Sequence, residues 1–306
     1  MRRRNFVGRI LGALAGSRSL GSADVKPGDI PKRKFGKTGV EVSIIGMAGG
    51  RLAMVSREEA RRVVRRAWEL GINFFDNARS YWDGRAEEVF GEVLAPVRKE
   101  IFLTTKTTAR SRKAAEAELE ASLRALRTDY VDLWQVHALS EMKELEEILA
   151  PGGALEAFEA ARKAGKCRFI GVTGHHDPEV LAEALRRHAG FDSVFMPLHA
   201  ADPAFLSFER NVLPLAVARG LAIQAMKTFA NARLMSVLSP RECLCYALSL
   251  PVSTVVVGAI TVGQIEDDAR FARDFRPLPA AEMEGLRRRA ARVAGPALED
   301  WKRRPA

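Results

Sequence analysis

Four residues in the first half of the chain have the types and spacing for proton transfer: Asp76, Tyr81, Lys106 and His137. Asp76 closes a short apolar run, Ile72, Phe74 and Phe75, which is too short for a helix and reads as a buried strand. Asn77, Arg79 and Ser80 read as loop, and Tyr81 lies in that loop. Taken alone, the stretch Gly71 to Tyr81 has two readings. It is a carboxylate and a phenol at a site, or an Asp that caps the following turn and a Tyr that covers an edge. Lys106 and His137 each stand at the end of another apolar run. Brought together, the four would do carbonyl chemistry. An ammonium beside a phenol favours the phenolate and lowers the phenol pKa. A phenol shifted that way can give its proton to a developing alkoxide. A neutral imidazole can donate a hydrogen bond to the same oxygen. A buried Asp and a buried Lys are costly unless they pair, so Asp76 would hold the Lys106 ammonium.

The elements that must position these groups follow from periodicity. Lys32 to Ser43 reads as a hairpin around Lys37-Thr38-Gly39. Core strands are expected at Ser43–Met47, Ile72–Phe75, Ile101–Thr105, Val131–Val136, Cys167–Val172, Ser193–Met196, Leu221–Ala225 and Thr254–Val257. Helices are expected between them, the first capped by Ser56 and the last running from Ala280 to Val293. Pro203 to Arg219 reads as mostly helix, kinked or divided at Pro214. Strands that alternate with helices imply a parallel sheet. Eight units over about 250 residues imply a closed (β/α)₈ TIM barrel, whose active site lies at the C-terminal ends of its strands. An open doubly wound sheet would want a Gly-x-Gly-x-x-Gly turn after its first strand, and Met47 to Leu52 does not supply one. The expected fold is therefore α/β, a TIM barrel with an N-terminal β-hairpin and an extra C-terminal helix. In it, Asp76, Tyr81, Lys106 and His137 converge on one side of the barrel top. Gly49, Gly50 and Arg51 follow the first strand there, where a ligand or a plain turn would fit equally.

At this point the chain resembles the aldo-keto reductase superfamily. GINFFDNARSYWDGRAEEVFG is similar to that family's Gly-Ile-Asn, Asp-Thr-Ala and Tyr-Gly segment. Thr105-Lys106 resembles its lysine strand, and Asp129 to His137 its histidine strand. The similarity runs from about Lys34 to Asp274. It implies NAD(P)H-dependent reduction of a small aldehyde or ketone, with Tyr81 as general acid. It also implies a cofactor cradle. Gly171-Val172-Thr173-Gly174 resembles the Gly-Val-Ser-Asn that holds the nicotinamide amide, with a side chain missing at Gly174. Met196 stands where Gln is usual, and Met226 where an aromatic often stacks; Lys227 beside it could reach a phosphate. Gly258-Ala259-Ile260 resembles the adenosine-phosphate loop, with Gln264 and Asp268 at positions expected to touch the nucleotide. That loop carries no cation, and Asp268 would repel a 2′-phosphate. NADPH is thus the expected cofactor with NADH as the alternative, and the preference between them is expected to be small. Trp82 is expected to wall the substrate pocket and His199 to line it, while Trp68 and Trp134 read as core. A barrel that keeps the four residues but binds cofactor weakly, and so acts as a binding protein, is the competing reading.

Composition narrows the remaining classes. The chain has 306 residues, is 47% hydrophobic and has no apolar run of membrane-spanning length, so no stable membrane insertion is expected. Cys167, Cys243 and Cys245 are too few for a disulfide framework and read as buried apolar residues. Adjacent His175 and His176 rarely ligate one metal, so no metal is expected. The net charge of +10 is concentrated at the two ends, with no basic stripe and interleaved aromatics, so no nucleic-acid partner is expected either. A monomer or weak oligomer is expected. Residues 1–23 do not read as domain. Arg3-Arg4-Asn5-Phe6-Val7 resembles a twin-arginine export signal, although Arg9 and Arg18 interrupt the apolar stretch behind it. That segment is either such a signal, giving a periplasmic protein, or a basic tail on a cytoplasmic one. Residues 24–306 are expected to form the barrel domain with its C-terminal helix.

Overall fold

The computed structural model describes residues 30–302. The proposed export segment lies outside them. Strands β1 (Lys32–Lys34) and β2 (Glu41–Ser43) pair antiparallel as the expected hairpin. The next eight strands are β3 (Ile45–Ala48), β4 (Phe74–Asp76), β5 (Phe102–Thr107), β6 (Val131–Val136), β7 (Cys167–Thr173), β8 (Ser193–Pro197), β9 (Ala222–Met226) and β10 (Thr254–Val257). They run parallel and close into a barrel when β10 pairs with β3. The expected TIM barrel is therefore what the chain builds.

Helices α1 (Arg57–Glu69), α2 (Arg85–Leu94) and α3 (Arg112–Leu126) follow β3, β4 and β5. The Ser56 hydroxyl accepts from the Glu59 N–H and starts α1 as anticipated. Helices α4 (Met142–Leu149) and α5 (Ala154–Lys163) both follow β6. The sequence leads one to expect only a single helix here, Gly153 to Lys163; α4 is additional, and a capping box between Glu141 and Glu144 stabilises it. Helix α6 (Pro178–Arg187) follows β7. The stretch 203–219, expected as mostly helix kinked or divided at Pro214, is a 3₁₀ turn, α7 (Phe208–Asn211) and α8 (Leu213–Ala218), divided just before Pro214. Leu206 takes a positive φ, and Pro214 sits in the first turn of α8, where its missing N–H costs nothing. Helices α9 (Pro240–Ser249), α10 (Val262–Arg273) and α11 (Ala280–Ala291) complete the ring. Among the described residues, no helix is long and apolar enough to cross a membrane.

The two-residue period of each strand sorts the side chains into two cores. One phase packs outward against the helices, as Met47, Phe75, Trp134 and Val194 do. The other points into the barrel, as Phe74, Phe102, Leu133, Phe195 and Val256 do. The hairpin closes the N-terminal end: Phe35 lies 4.6 Å from Phe102, ring centroid to centroid. Gly36 has φ +54, and a Cβ there would stand 2.4 Å from the Ala222 nitrogen, so only glycine lets the hairpin sit this close. The filled lower barrel leaves the C-terminal ends of the strands as the open end.

Candidate active site

Asp76, Lys106 and His137 share the inward phase at the tops of β4, β5 and β6, and the Tyr81 loop brings the phenol to them. The Lys106 ammonium donates to Asp76 Oδ2 at 2.7 Å, to the Asn77 carbonyl at 2.7 Å and to the Tyr81 hydroxyl at 3.3 Å. Thr104 Oγ1 donates to the other Asp76 oxygen at 2.8 Å. The Tyr81 and His137 rings meet edge-on at 5.5 Å, and His137 Nδ1 lies 3.2 Å from Ser80 Oγ. Arg110 buttresses this corner by donating to the His137 carbonyl at 3.0 Å.

The electrostatics follow from burial. Asp76 is fully buried, which pushes its carboxyl up; Lys106 and Thr104 oppose that rise. Burial pulls the Lys106 ammonium down, but Asp76 and Tyr81 outweigh it, so the ammonium is held above its ordinary value. With 2.7 Å between them, the two groups stand as an ion pair. For Tyr81 the sequence reading needs correction. Burial raises the phenol above its usual value, and the opposing pull of Lys106 does not overcome it. The phenol thus keeps its proton and remains able to give it up. Burial, with Lys106, His175 and Arg110 nearby, drives His137 well below its ordinary value, so its imidazole is neutral.

The cofactor residues divide into those that face this site and those that do not. Thr173 and Met226 have the inward phase at the tops of β7 and β9. Thr173 Oγ1 accepts from the Ala138 N–H at 3.0 Å and keeps its own proton to donate. Gly174 is closed to a side chain, since a Cβ would stand 2.9 Å from the Leu139 carbonyl. Met196 takes the outward phase and is packed among the helices, while its neighbour Phe195 faces the barrel. The expectation that Met196 touches a cofactor is therefore wrong by one strand position. The Gln264 side-chain oxygen accepts from the Ile260 N–H at 2.8 Å and so shapes its own loop, which leaves its amide N–H groups to donate. Asp268 is buried in α10, and burial, reinforced by Asp267, pushes its carboxyl up to about 7, so it carries only part of its charge at neutral pH. Its expected repulsion of a phosphate is weakened accordingly.

The missing cation comes from a distant strand. Arg51, just after β3, packs over Gly258, where a Cβ would meet Arg51 Cγ at 2.8 Å. Arg51 Nη2 donates to Asn231 Oδ1 at 2.6 Å, and Lys227 Nζ donates to the same oxygen at 3.3 Å. Neither cation has a carboxylate within ion-pair distance among the described residues. Two partly desolvated cations sharing one neutral acceptor fit a phosphate group. Gly49 and Gly50 serve packing as well: a Cβ at Gly49 would stand 2.9 Å from Asn77 Oδ1, and one at Gly50 would stand 3.2 Å from the Tyr81 ring. Ala259 is buried at the top of the same loop.

His199 does not line the pocket. It is fully buried, 3.2 Å from Glu299 and edge-on to Trp301. With Asp202 and Glu299 it makes a cluster of metal-ligand type, but the Lys302 ammonium already lies there, 2.7 Å from Asp202 and in contact with Glu299. His176 Nδ1 lies 3.1 Å from the Trp301 carbonyl, so the C-terminal segment crosses the barrel top. His175 stays beside Lys227, and burial lowers it to about 4. Trp82 has φ 51 and packs half-buried next to Tyr81.

A sequence model of the aldo/keto reductase family matches residues 44–237. The chain belongs to this family. It is accordingly an NAD(P)H-dependent carbonyl reductase in its general class. Its relatives include an uncharacterised oxidoreductase, YqkF, of Bacillus subtilis, 27% identical over 300 residues, covering 83% of this chain and 95% of that one. Methylglyoxal reductase YeaE of Escherichia coli is 42% identical over 108 residues, 34% of this chain and 35% of that one. Among solved structures, the holo form of an aldo-keto reductase from Bacillus halodurans matches with a TM-score of 0.72 and 25% identity, covering 87% of this chain and 97% of that one. A Klebsiella pneumoniae aldo-keto reductase solved with NADPH has the same fold, with a TM-score of 0.70 and 24% identity, covering 86% and 95% of the two chains. In this aldo-keto reductase, then, the convergence of Asp76, Tyr81, Lys106 and His137 on one corner was readable from sequence. Arg110 and Asn231 were not, because no local pattern marks them.

Proposed function

We propose that the protein reduces the carbonyl of a small aldehyde or ketone with NADPH, and that Tyr81 supplies the proton. The observation that carries this reading is the Tyr81 hydroxyl, 3.3 Å from an ammonium that is itself ion-paired to Asp76. When bound, the nicotinamide supplies the hydride. The chain's own groups do the rest. Arg51 and Lys227 hold a phosphate of the nucleotide, and Thr173 offers its hydroxyl proton to the amide end. His137, neutral, donates a hydrogen bond to the substrate oxygen and turns it toward Tyr81. The phenol gives its proton to that oxygen as negative charge develops, and Lys106 stabilises the phenolate left behind. Trp82, beside Tyr81, walls the place where the substrate would lie.

The test is NADPH oxidation by the purified chain with a panel of small aldehydes, including the 2-oxoaldehyde named for the Escherichia coli relative. No turnover with any of them, together with no NADPH binding, would refute the reading. The closed Gly174 and the unconjugated Met226 favour a second reading, a barrel with weak nicotinamide grip that binds carbonyl compounds without reducing them. Tight NADPH binding excludes it. NADH in the same titration measures the nucleotide preference. For the segment 1–23 we propose twin-arginine export to the periplasm. Replacing Arg3 and Arg4 with Lys would then leave the protein in the cytoplasm. For the barrel we propose a monomer or weak oligomer, checked by sedimentation.

A further inference from the structure

Glu87 lies in the first turn of α2 and is fully buried. Burying a carboxylate is costly unless donors surround it. Here Oε1 accepts from Thr105 Oγ1 at 2.6 Å and Oε2 from Arg79 Nη1 at 2.6 Å, and Ser122 of α3 also donates. Burial still leaves the carboxyl above its usual value, so the donors do not fully offset the loss of water.

Both main partners belong to elements that carry the tetrad. Thr105 is the outward-facing neighbour of Lys106 on β5. Arg79 lies two residues before Tyr81, and its backbone N–H donates to the Lys106 carbonyl at 3.0 Å. The Arg79 guanidinium then fills the inside of the tyrosine turn. Nη2 donates to the Asp83 carbonyl at 3.4 Å. A Cβ on Gly84 would lie 1.6 Å from the same nitrogen. The turn is wound tightly about this group: Trp82 and Asp83 take φ 51 and 53, and Gly84 takes φ +85. Consecutive left-handed residues other than glycine persist only where the surroundings over-determine them. Here the Arg79 guanidinium, paired with Glu87, packs against these residues from inside the turn.

We propose that Glu87 is a positioning residue for the carbonyl reduction: through Arg79 it holds the turn that carries Tyr81, and through Thr105 it holds the strand that carries Lys106. The inference rests on Tyr81 being the proton donor. It predicts a role for a carboxylate whose oxygens never face the substrate.

The test compares Arg79→Ala and Glu87→Gln with the parent chain. Four quantities are measured: kcat, KM for the carbonyl, Kd for NADPH, and the pH at which the Tyr81 phenol titrates. The last is read as phenolate absorbance against the same protein carrying Tyr81→Phe. In both variants kcat falls on the order of tenfold or more, because small misplacement of a reacting group is expensive in rate. KM and Kd stay within about twofold, because neither residue reaches a ligand. The loosened turn admits water, and the Tyr81 phenol titrates at lower pH than in the parent. Millimolar guanidinium ion restores turnover in Arg79→Ala by refilling the space against Gly84. If Arg79→Ala fails to fold, Arg79→Lys, which keeps a cation but not the two-sided fork, carries the same measurements. Unchanged kcat, or an unchanged Tyr81 titration in a folded variant, overturns the proposal. If the parent chain reduces no carbonyl, the functional reading fails on its own, and the Tyr81 titration still decides whether Glu87 and Arg79 hold the turn.

Discussion

The Lys106 ammonium and the Asp76 carboxylate lie 2.7 Å apart with essentially no exposure to solvent, and the same ammonium reaches the Tyr81 hydroxyl. One buried pair thus joins two strand tops, and its ammonium partly offsets the rise that burial imposes on the phenol.

Replacing Tyr81 with Phe removes the proton donor and keeps the ring. Turnover is expected to fall by about 10²–10⁴-fold, the usual contribution of a placed general acid. NADPH binding, followed by quenching of tryptophan fluorescence, is expected to be nearly unchanged. A variant that keeps a large part of the parent's turnover would remove Tyr81 from the role.

Lys106→Met leaves Asp76 as an unpaired buried charge. Breaking such a pair costs roughly 3–5 kcal/mol, which denaturant unfolding would read. Adding Asp76→Asn is expected to recover much of that stability and none of the activity. If the single variant is as stable as the parent, the pair is not carrying charge.

Nucleotide binding is expected to depend on pH through Lys227. Burial, with Arg51 nearby, lowers its ammonium to about 8. A phosphate binds the ammonium form, so affinity is full well below pH 8 and declines as the pH rises through about 8. Lys227→Arg, which stays charged, would flatten the profile between neutral pH and moderately alkaline pH. The measurement is NADPH Kd across that range, and a flat profile in the parent would place the phosphate elsewhere.

Lys302 anchors the C-terminal segment by neutralising Asp202 and Glu299, all three of them buried. Lys302→Met is expected to destabilise the fold by about 3–5 kcal/mol, for the reason given for Lys106. Hydrogen exchange would show the protection lost first around His199 and Trp301. Protection unchanged at those positions would mean that apolar packing of Trp301 alone holds the segment.

Much of this protein's architecture is legible in its sequence. The alternation of apolar runs with amphipathic helices specifies a parallel closed sheet, because a strand buried on both faces needs a helix to cover it. Asp76, Lys106 and His137 stood out because each ends an apolar run with a group that a strand interior would not tolerate. The limits were of three kinds. Phase was one: Met196 looked equivalent to an inward residue, yet one step along a strand turns a side chain to the other face. Burial was another, since the direction of the Tyr81 shift depends on how much water its loop excludes, and no local spacing reports that. Glu87 had a readable sign, for it shares a helix face with Phe90, Gly91 and Leu94, but a charge on an apolar face does not say what it binds. Long-range pairing was the third. Arg51 comes to lie over Gly258, and Lys302 enters between Asp202 and Glu299, only because barrel closure and the C-terminal crossing bring together segments that are far apart in the chain. Periodicity acts over a few residues and so could set the barrel and the tops of its strands. Which charges meet there is decided by solvent exclusion and by contacts that exist only once the sheet has closed.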